Sequence, residues 1–463
     1  MNNYGFHFAE SYQGYWNVPQ VGRKIPGTLY IEKHSIRLEL FWNNITSRDA
    51  RVISSVTGYA YTEIENKKSC YYFVLKGLKL MSVSWFGRHQ SQYKYDVNTI
   101  YMSDTPRFSI NGIVNCCIRT QLMDKWVWDY TRNSYSDLWP FKENDIIEMQ
   151  YQAKPSLTLF ESALCELYLK FSNEAHTPNA DGFSMSTHTF LNLRLKKKQK
   201  FYDALDNVES VIWLFSLLWN NQFSPDFVEF RNSKAKFIYK QSDRYSYKYR
   251  DVNNNSLSTD ISDFNEEELS TIIGKWFQLL DKEIVSIGTF FETQYNEHMT
   301  PSAMIKNYMS VIDGLSRELK VPCTGQSNNS KKNKRFEDIL KAIKPHLGAK
   351  DFNEIKMAIF RESPSELKPR LAQLINILSE YKDIDLPSDF CQKAVETRNL
   401  LTHTRSSGKD VFHKEQYRDV CFCLEDLIRA YILFKIGVPK EIADKILKIN
   451  YLCPVNKVTE AKN

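Results

Sequence analysis

Glu396-Thr397-Arg398-Asn399-Leu400-Leu401-Thr402-His403 closes a helical pattern that begins at Ser388 and stops before the polar run Thr404 to Lys409. Five positions separate an always-charged guanidinium from an imidazole that titrates near neutrality, a pairing suited to handling a phosphodiester. Phe390, Ala394, Thr397 and Leu401 recur at spacings of four, three and four, so they give the helix a core face and leave Arg398 on its flank. On an ideal helix, Arg398 and His403 lie about 140° apart around the axis, too far to meet on one atom unless the helix ends between them. The bland reading is an Arg that holds a helix carboxylate and a His that satisfies the last carbonyls. Arg-x4-His spacings also arise by chance in a chain of this size, so the context has to decide.

The context is helical. From Phe264 onward, Glu266 to Gly288 and Ala303 to Leu319 carry apolar stripes, the second through Met304, Ile305, Tyr308, Val311, Ile312 and Leu315. Asp351 with Glu354, and Ser363-Pro364-Ser365-Glu366, read as capping boxes that start helices. A long helix from Asp410 to Ile436 closed by Gly437, and a short one after Pro439, complete an all-α bundle. Between the helices, Pro322 to Arg335 has no apolar period and reads as a loop.

Upstream the pattern changes. From Tyr12 to about Gln152, Ile36-Arg37-Leu38-Glu39-Leu40 alternates apolar with charged, and Tyr71 to Leu75, Leu78 to Val83 and Lys94 to Val97 read as further strands, broken by Gly58, Gly77 and Gly87. Short strands at such spacing predict a sandwich or barrel-like β region. Trp16, Trp42, Trp85, Trp126, Trp128 and Trp139 lie in it and read as core more readily than as a stacking surface. In the middle of the chain, Leu157 to Phe171 reads as a strand or short helix, Ser172 to Gly182 as a loop, Lys200 to Trp219 as a helix, Phe227 to Tyr249 as strand and Asp251 to Asp263 as a linker. The fold class is therefore α+β and multidomain: a β-rich region over residues 1–152, a mixed α/β region over 153–255 and a helical domain over 256–463.

Composition narrows the function classes. With 42% hydrophobic and 25% charged residues over 463 positions, the chain reads as an ordinary soluble protein of two or three domains. No run approaches the roughly 18 apolar residues that span a bilayer, and Met1 to Gln20 lacks a secretory pattern, so a cytoplasmic protein with no membrane partner is expected. The 9 Cys include no Cys-x2-Cys pair, which argues against a disulfide framework and a structural zinc. Cys116-Cys117 and Cys421-Phe422-Cys423 read as buried thiols. His176 and His188 read as loop residues without a metal-ligand motif, and no Gly-x4-Gly-Lys-[Ser/Thr] is present, so no metal or other cofactor is expected. Of the net charge of +6, residues 301–463 carry +7, from 28 Lys and Arg against 21 Asp and Glu. That suits a polyanionic partner, and suits an ordinary solvated surface nearly as well.

Arg398, Asn399 and His403, at the end of a helix in an all-α C-terminal third, resemble the HEPN superfamily, whose ribonucleases carry Arg, a polar residue, three further residues and His. A long β-rich region ahead of such a domain is most similar to ApeA-type anti-phage defence proteins, and Gly14-Tyr15-Trp16-Asn17-Val18-Pro19 and Pro26-Gly27-Thr28-Leu29 fit their N-terminal region. The resemblance implies a homodimer or higher homo-oligomer whose composite site cuts cellular RNA without metal. It also implies a toxin-like role in abortive infection, a phage-derived trigger and transfer RNA as a candidate target. His403 would serve as general base or acid, Arg398 as phosphate ligand and Asn399 as the residue that orients the site. Thr402, Thr404 and Arg405 are candidate phosphate contacts. Lys331, Lys332, Lys334 and Arg335 are candidates to steer RNA, though a Ser/Asn/Lys loop is as often simply solvated. Lys196-Lys197-Lys198-Gln199-Lys200 reads as a solvated helix start. HEPN toxins silenced by nucleotidylation carry a Tyr three residues after the His, where this chain has Ser406. The alternative reading is a non-catalytic module in which the helices dimerise and the β-rich region recognises a ligand.

Overall fold

The computed structural model describes residues 11–19, 22–32, 35–42, 50–64, 67–86, 90–106, 108–127, 155–179, 182–221, 223, 225–241, 257–296, 298–319, 338–346, 348, 352, 367–381, 384, 386–403 and 410–447. The chain divides into two compact units, Met1–Phe277 and Gln278–Asn463. Expected boundaries lay near residues 152 and 255. The first unit's sheet runs on across 152, because β7 (Ile113–Arg119) pairs with β10 (Gly182–Gln199) on one side and with β11 (Phe227–Asn232) on the other. Loop composition carries no signal of such long-range pairing.

The β-rich region begins with a closed barrel. Strands β1 (Ser11–Val18), β2 (Arg23–Ile31), β3 (Ile36–Trp42), β4 (Ser55–Ile64), β5 (Lys67–Phe86) and β6 (Gln90–Ser103) pair in the order β3-β2-β1-β4-β5-β6, and β6 pairs back onto β3. Closure removes the free edges that an open sheet would expose. Alternation does the rest: Ile36, Leu38 and Leu40 point inward while Arg37 and Glu39 point out. Tyr12, Trp16, Phe73, Tyr93 and Tyr95 fill the interior.

β6 does not end at the barrel. Ser91 to Asp96 pair with β3, and Thr99 to Met102 pair with β12 (Lys236–Gln241), so one strand belongs to the barrel and to the sheet β12-β11-β7-β10-β9-β8 beyond it. There β8 (Leu157–Glu161) and β9 (Cys165–Asn179) resolve the strand-or-helix choice in favour of strands. Of Ser172 to Gly182, expected as a loop, Ser172 to Asn179 instead continues β9 and Gly182 begins β10, the two strands forming a long hairpin in which Asn179 faces Gly182. Ladder hydrogen bonds between the two strands override the local turn preference of Asn173, Pro178 and Asn179. His176 and His188 consequently sit in strands, and His188 Nδ1 lies 3.1 Å from Arg119 Nη2, which donates 2.6 Å to Asp124 Oδ2. Lys196 to Lys198 end β10 rather than start a helix, with Lys196 paired to Glu161 at 2.6 Å; Lys200 is the residue that precedes the helix.

Two helices cover this sheet: α1 (Gln121–Trp126) on β10, and α2 (Phe201–Trp219) on β7 and β10. Trp126, Phe215, Trp219 and Phe223 pack ring against ring at 5.1 to 6.3 Å. Trp16, Trp42 and Trp126 are thus core, as read; the side chains of Trp85, Trp128 and Trp139 fall outside the described residues, as do Gly87, Tyr245, Tyr247 and Tyr249. In α3 (Glu266–Tyr295), Trp276 donates to the Ser210 carbonyl at 3.0 Å, and the helix is interrupted at Glu283, where φ is −123° and ψ 25°.

The second unit is helical. α4 (Pro301–Leu315), α5 (Leu367–Tyr381), α6 (Phe390–His403), α7 (Tyr417–Ile436) and α8 (Lys440–Leu447) pack with α7 against α4, α5 and α8. The long helix expected from Asp410 begins at Tyr417, after a 3-10 turn at Lys414–Gln416, and ends as read at Gly437, whose φ of 79° suits glycine. Both proposed capping boxes, at Asp351 and at Ser363, fall outside the described residues. Inside the bundle, Glu425 accepts from Gln294 at 2.8 Å and from Arg429 at 3.1 Å, a buried charge held by its hydrogen bonds. Cys421 is a free buried thiol, as read, whereas Cys423 is disulfide-bonded. Residues two apart on a helix diverge, so one sulfur can be bridged while its neighbour is not. Among the described residues no helix is long and apolar enough to cross a membrane.

Thr300 caps α4 by accepting from the Ala303 N–H at 3.4 Å, with Pro301 at the first helical position. Thr300→Ala should lower stability by about 1 kcal/mol, read as a shift of the denaturant midpoint with unchanged slope.

Candidate functional site

A turn at Pro387 to Asp389 launches α6: the Phe390 N–H donates to the Pro387 carbonyl at 2.9 Å, and Asp389 pairs with Lys393 at 2.7 Å. Phe390, Ala394 and Thr397 are buried and Leu401 is half-buried, as their spacing predicts, and this face packs against α4 and α5. Arg398, one residue past Thr397 and therefore about 100° around the helix, lies half-buried on the flank. Its Nη1 donates to Asn399 Oδ1 at 3.2 Å. Among the described residues no carboxylate is paired with Arg398; Glu396 accepts instead from Gln392 at 3.2 Å. The Thr402 hydroxyl donates to the Arg398 carbonyl at 2.7 Å, so its hydrogen must leave the helix before it can serve a ligand.

Helix α6 runs unbroken through His403. It does not end between Arg398 and His403, so the two positions stay about 140° apart around one axis. The side chain of His403, and Thr404, Arg405, Lys331, Lys332, Lys334 and Arg335 entirely, lie outside the described residues. Among the described residues no cluster of His, Cys, Asp and Glu could hold a metal. Burial raises the thiol pKa of Cys391, the other reactive group of α6, so this Cys is protonated near neutrality.

One residue acts here that motif reading assigned only to the core. Thr397 Oγ1 accepts from the Phe412 N–H at 2.9 Å in a buried position, and the Phe412 ring lies 5.7 Å from that of Phe390. The chain returning after His403 is thereby tied to the helix that carries the motif. A hydroxyl at a core-facing position was the available signal, since buried polar groups are hydrogen-bonded. Thr397→Val keeps the shape and orphans the Phe412 N–H. It should cost about 1–3 kcal/mol, seen in thermal unfolding as a lowered midpoint.

With this geometry in place, two comparisons bear on the chain. The family model described as ApeA N-terminal domain 1 matches residues 11–278, and that described as Apea-like HEPN matches residues 307–442, which include all of α6. A search of curated proteins and a search of solved structures each return no match.

Proposed function

The chain belongs to the ApeA family, and on that premise we propose that it is a metal-independent endoribonuclease of anti-phage defence, acting on cellular RNA at a site shared by two protomers. What carries the reading is the position of Arg398, Asn399 and His403 on one uninterrupted helix inside the HEPN-matched region. Their 140° divergence supports a second protomer: a single chain does not aim both groups at one phosphate, whereas two helix ends beside a two-fold axis would bring each group to its twin.

The chemistry is a transesterification. A general base takes the proton of the 2′-OH, the 2′ oxygen attacks phosphorus, and the bond to the 5′ oxygen breaks as a general acid protonates it. The products are a 2′,3′-cyclic phosphate and a 5′-hydroxyl. Imidazole suits both proton roles near its ordinary pKa, so His403 from each protomer supplies one of them. Arg398, which no carboxylate neutralises among the described residues, binds two phosphate oxygens and stabilises the charge that grows on them. Asn399, already bonded to the guanidinium, holds it in orientation. Thr402, Thr404, Arg405, Lys331, Lys332, Lys334 and Arg335 add contacts along the RNA backbone. Transfer RNA fits as a target because its loops present unstacked bases.

The test is to incubate the purified protein with total RNA in chelator and map the ends, while sedimentation reports the assembly. Cuts that leave cyclic phosphate, made by a dimer, are expected. Cleavage that needs added metal, or that leaves 3′-hydroxyl ends, would overturn the mechanism.

A further inference from the structure

The outer face of the barrel carries an aromatic array that the cleavage chemistry does not use. Across β2, β1, β4 and β5, Pro26, Tyr15, Tyr59 and Tyr72 stand opposite one another in a single register row. The alternation that buries Trp16, Ala60 and Phe73 turns these residues outward. Tyr15 is 49% exposed, and Tyr61, in the next row, 48%. Rings of Tyr15 and Tyr59, and of Tyr59 and Tyr61, are centred 6.0 Å apart, and Lys24 Nζ lies 4.8 Å from the Tyr59 ring. No carboxylate occurs in this row or in the rows on either side of it across the four strands.

Exposed rings with a cation among them and no carboxylate in these rows of the four strands call for a ligand that offers flat π-faces joined by anions. A proline-rich peptide would use the rings and not the charge; an acidic peptide would use the charge and not the rings. An unpaired nucleotide strand uses both, by stacking its bases and pairing its phosphates. We propose that this face of the barrel binds single-stranded RNA, independently of the α6 site. The choice of RNA over DNA rests on the function proposed above.

The test is fluorescence anisotropy of a fluorescein-labelled, unpaired oligoribonucleotide with the full-length His403→Ala protein, which should hold the strand without cutting it. A Tyr15→Thr/Tyr61→Thr double variant, whose replacements keep the β preference, should bind about tenfold more weakly or worse. Lys24→Gln, fully surface-borne and safe for folding, should lower the slope of log Kd on log salt by about one. Affinity unchanged in both variants overturns the inference, as does no RNA binding at all, or tighter binding of single-stranded DNA or of a proline-rich peptide. The two readings fail separately. Tyrosine-dependent binding without any RNA cleavage by the unsubstituted protein sinks the nuclease alone, and cleavage with binding indifferent to Tyr15, Tyr61 and Lys24 sinks the barrel surface alone.

Discussion

His403→Ala should lower the proposed RNA cleavage by about 10²–10⁴-fold, the range that positioned acid–base groups contribute, with folding and assembly unchanged. The magnitude follows from the proposed role, in which both proton transfers fall to imidazoles from the two protomers and Ala supplies neither. His403 is the last residue of α6, past the buried face formed by Phe390, Ala394 and Thr397, so its loss should leave the core intact. Arg398→Lys separates charge from shape. It keeps the cation and loses the bidentate fork, so it should reduce cleavage strongly while leaving the proton-transfer groups in place. The checks are gel-resolved cleavage of total RNA in chelator, with circular dichroism and sedimentation on the same samples. Cleavage by His403→Ala at the unsubstituted rate would remove the assignment.

Trp16→Ala lowers unfolding free energy by about 3–5 kcal/mol, the usual cost of emptying a large aromatic site. Trp16 is fully buried, 5.7 Å from the Phe73 ring, and two glycines stand against it. A Cβ at Gly58 would sit 2.5 Å from Trp16 Cε3 and 2.8 Å from the Tyr15 carbonyl oxygen; one at Gly27 would sit 3.0 Å from Trp16 Cδ1. The indole N–H has no hydrogen-bond partner among the described residues, so the effect of truncation is one of packing. Gly58→Ala tests the same contact from the other side. Overpacking should cost about 1–3 kcal/mol, and because the Tyr15 backbone cannot retreat as a flexible side chain would, the upper end is expected. Denaturant unfolding of the full chain reads both. A Trp16→Ala midpoint equal to that of the unsubstituted protein would contradict this packing.

Local patterns were legible where a single element decides its own form. Lys200 to Trp219 was readable as a helix because its apolar residues keep a 3.6 period, and the helix observed spans Phe201–Trp219. Ile36 to Leu40 was readable as a strand because every second residue is apolar, and the end of α7 because only Gly437 takes a positive φ there without strain. Pairing between distant strands was not legible. Nothing local to Arg37–Trp42 announces that its partners include Ser91–Asp96, and it is that ladder which closes the barrel. The strand through Ser172 to Asn179 was hidden for a related reason, since its Asn and Pro residues favour turns until a partner strand supplies hydrogen bonds. In the candidate site, the core face of α6 could be read from spacing alone. The bond from Phe412 to Thr397 could not, because it joins residues fifteen apart across a turn of the chain.

Because one edge of β6 pairs with β5 along its length while the other edge is divided between β3 and β12, the two sheets share a backbone. A chain cut after Ser103 would keep the ring but leave the Thr99 to Met102 edge of β6 open to strand addition and aggregation.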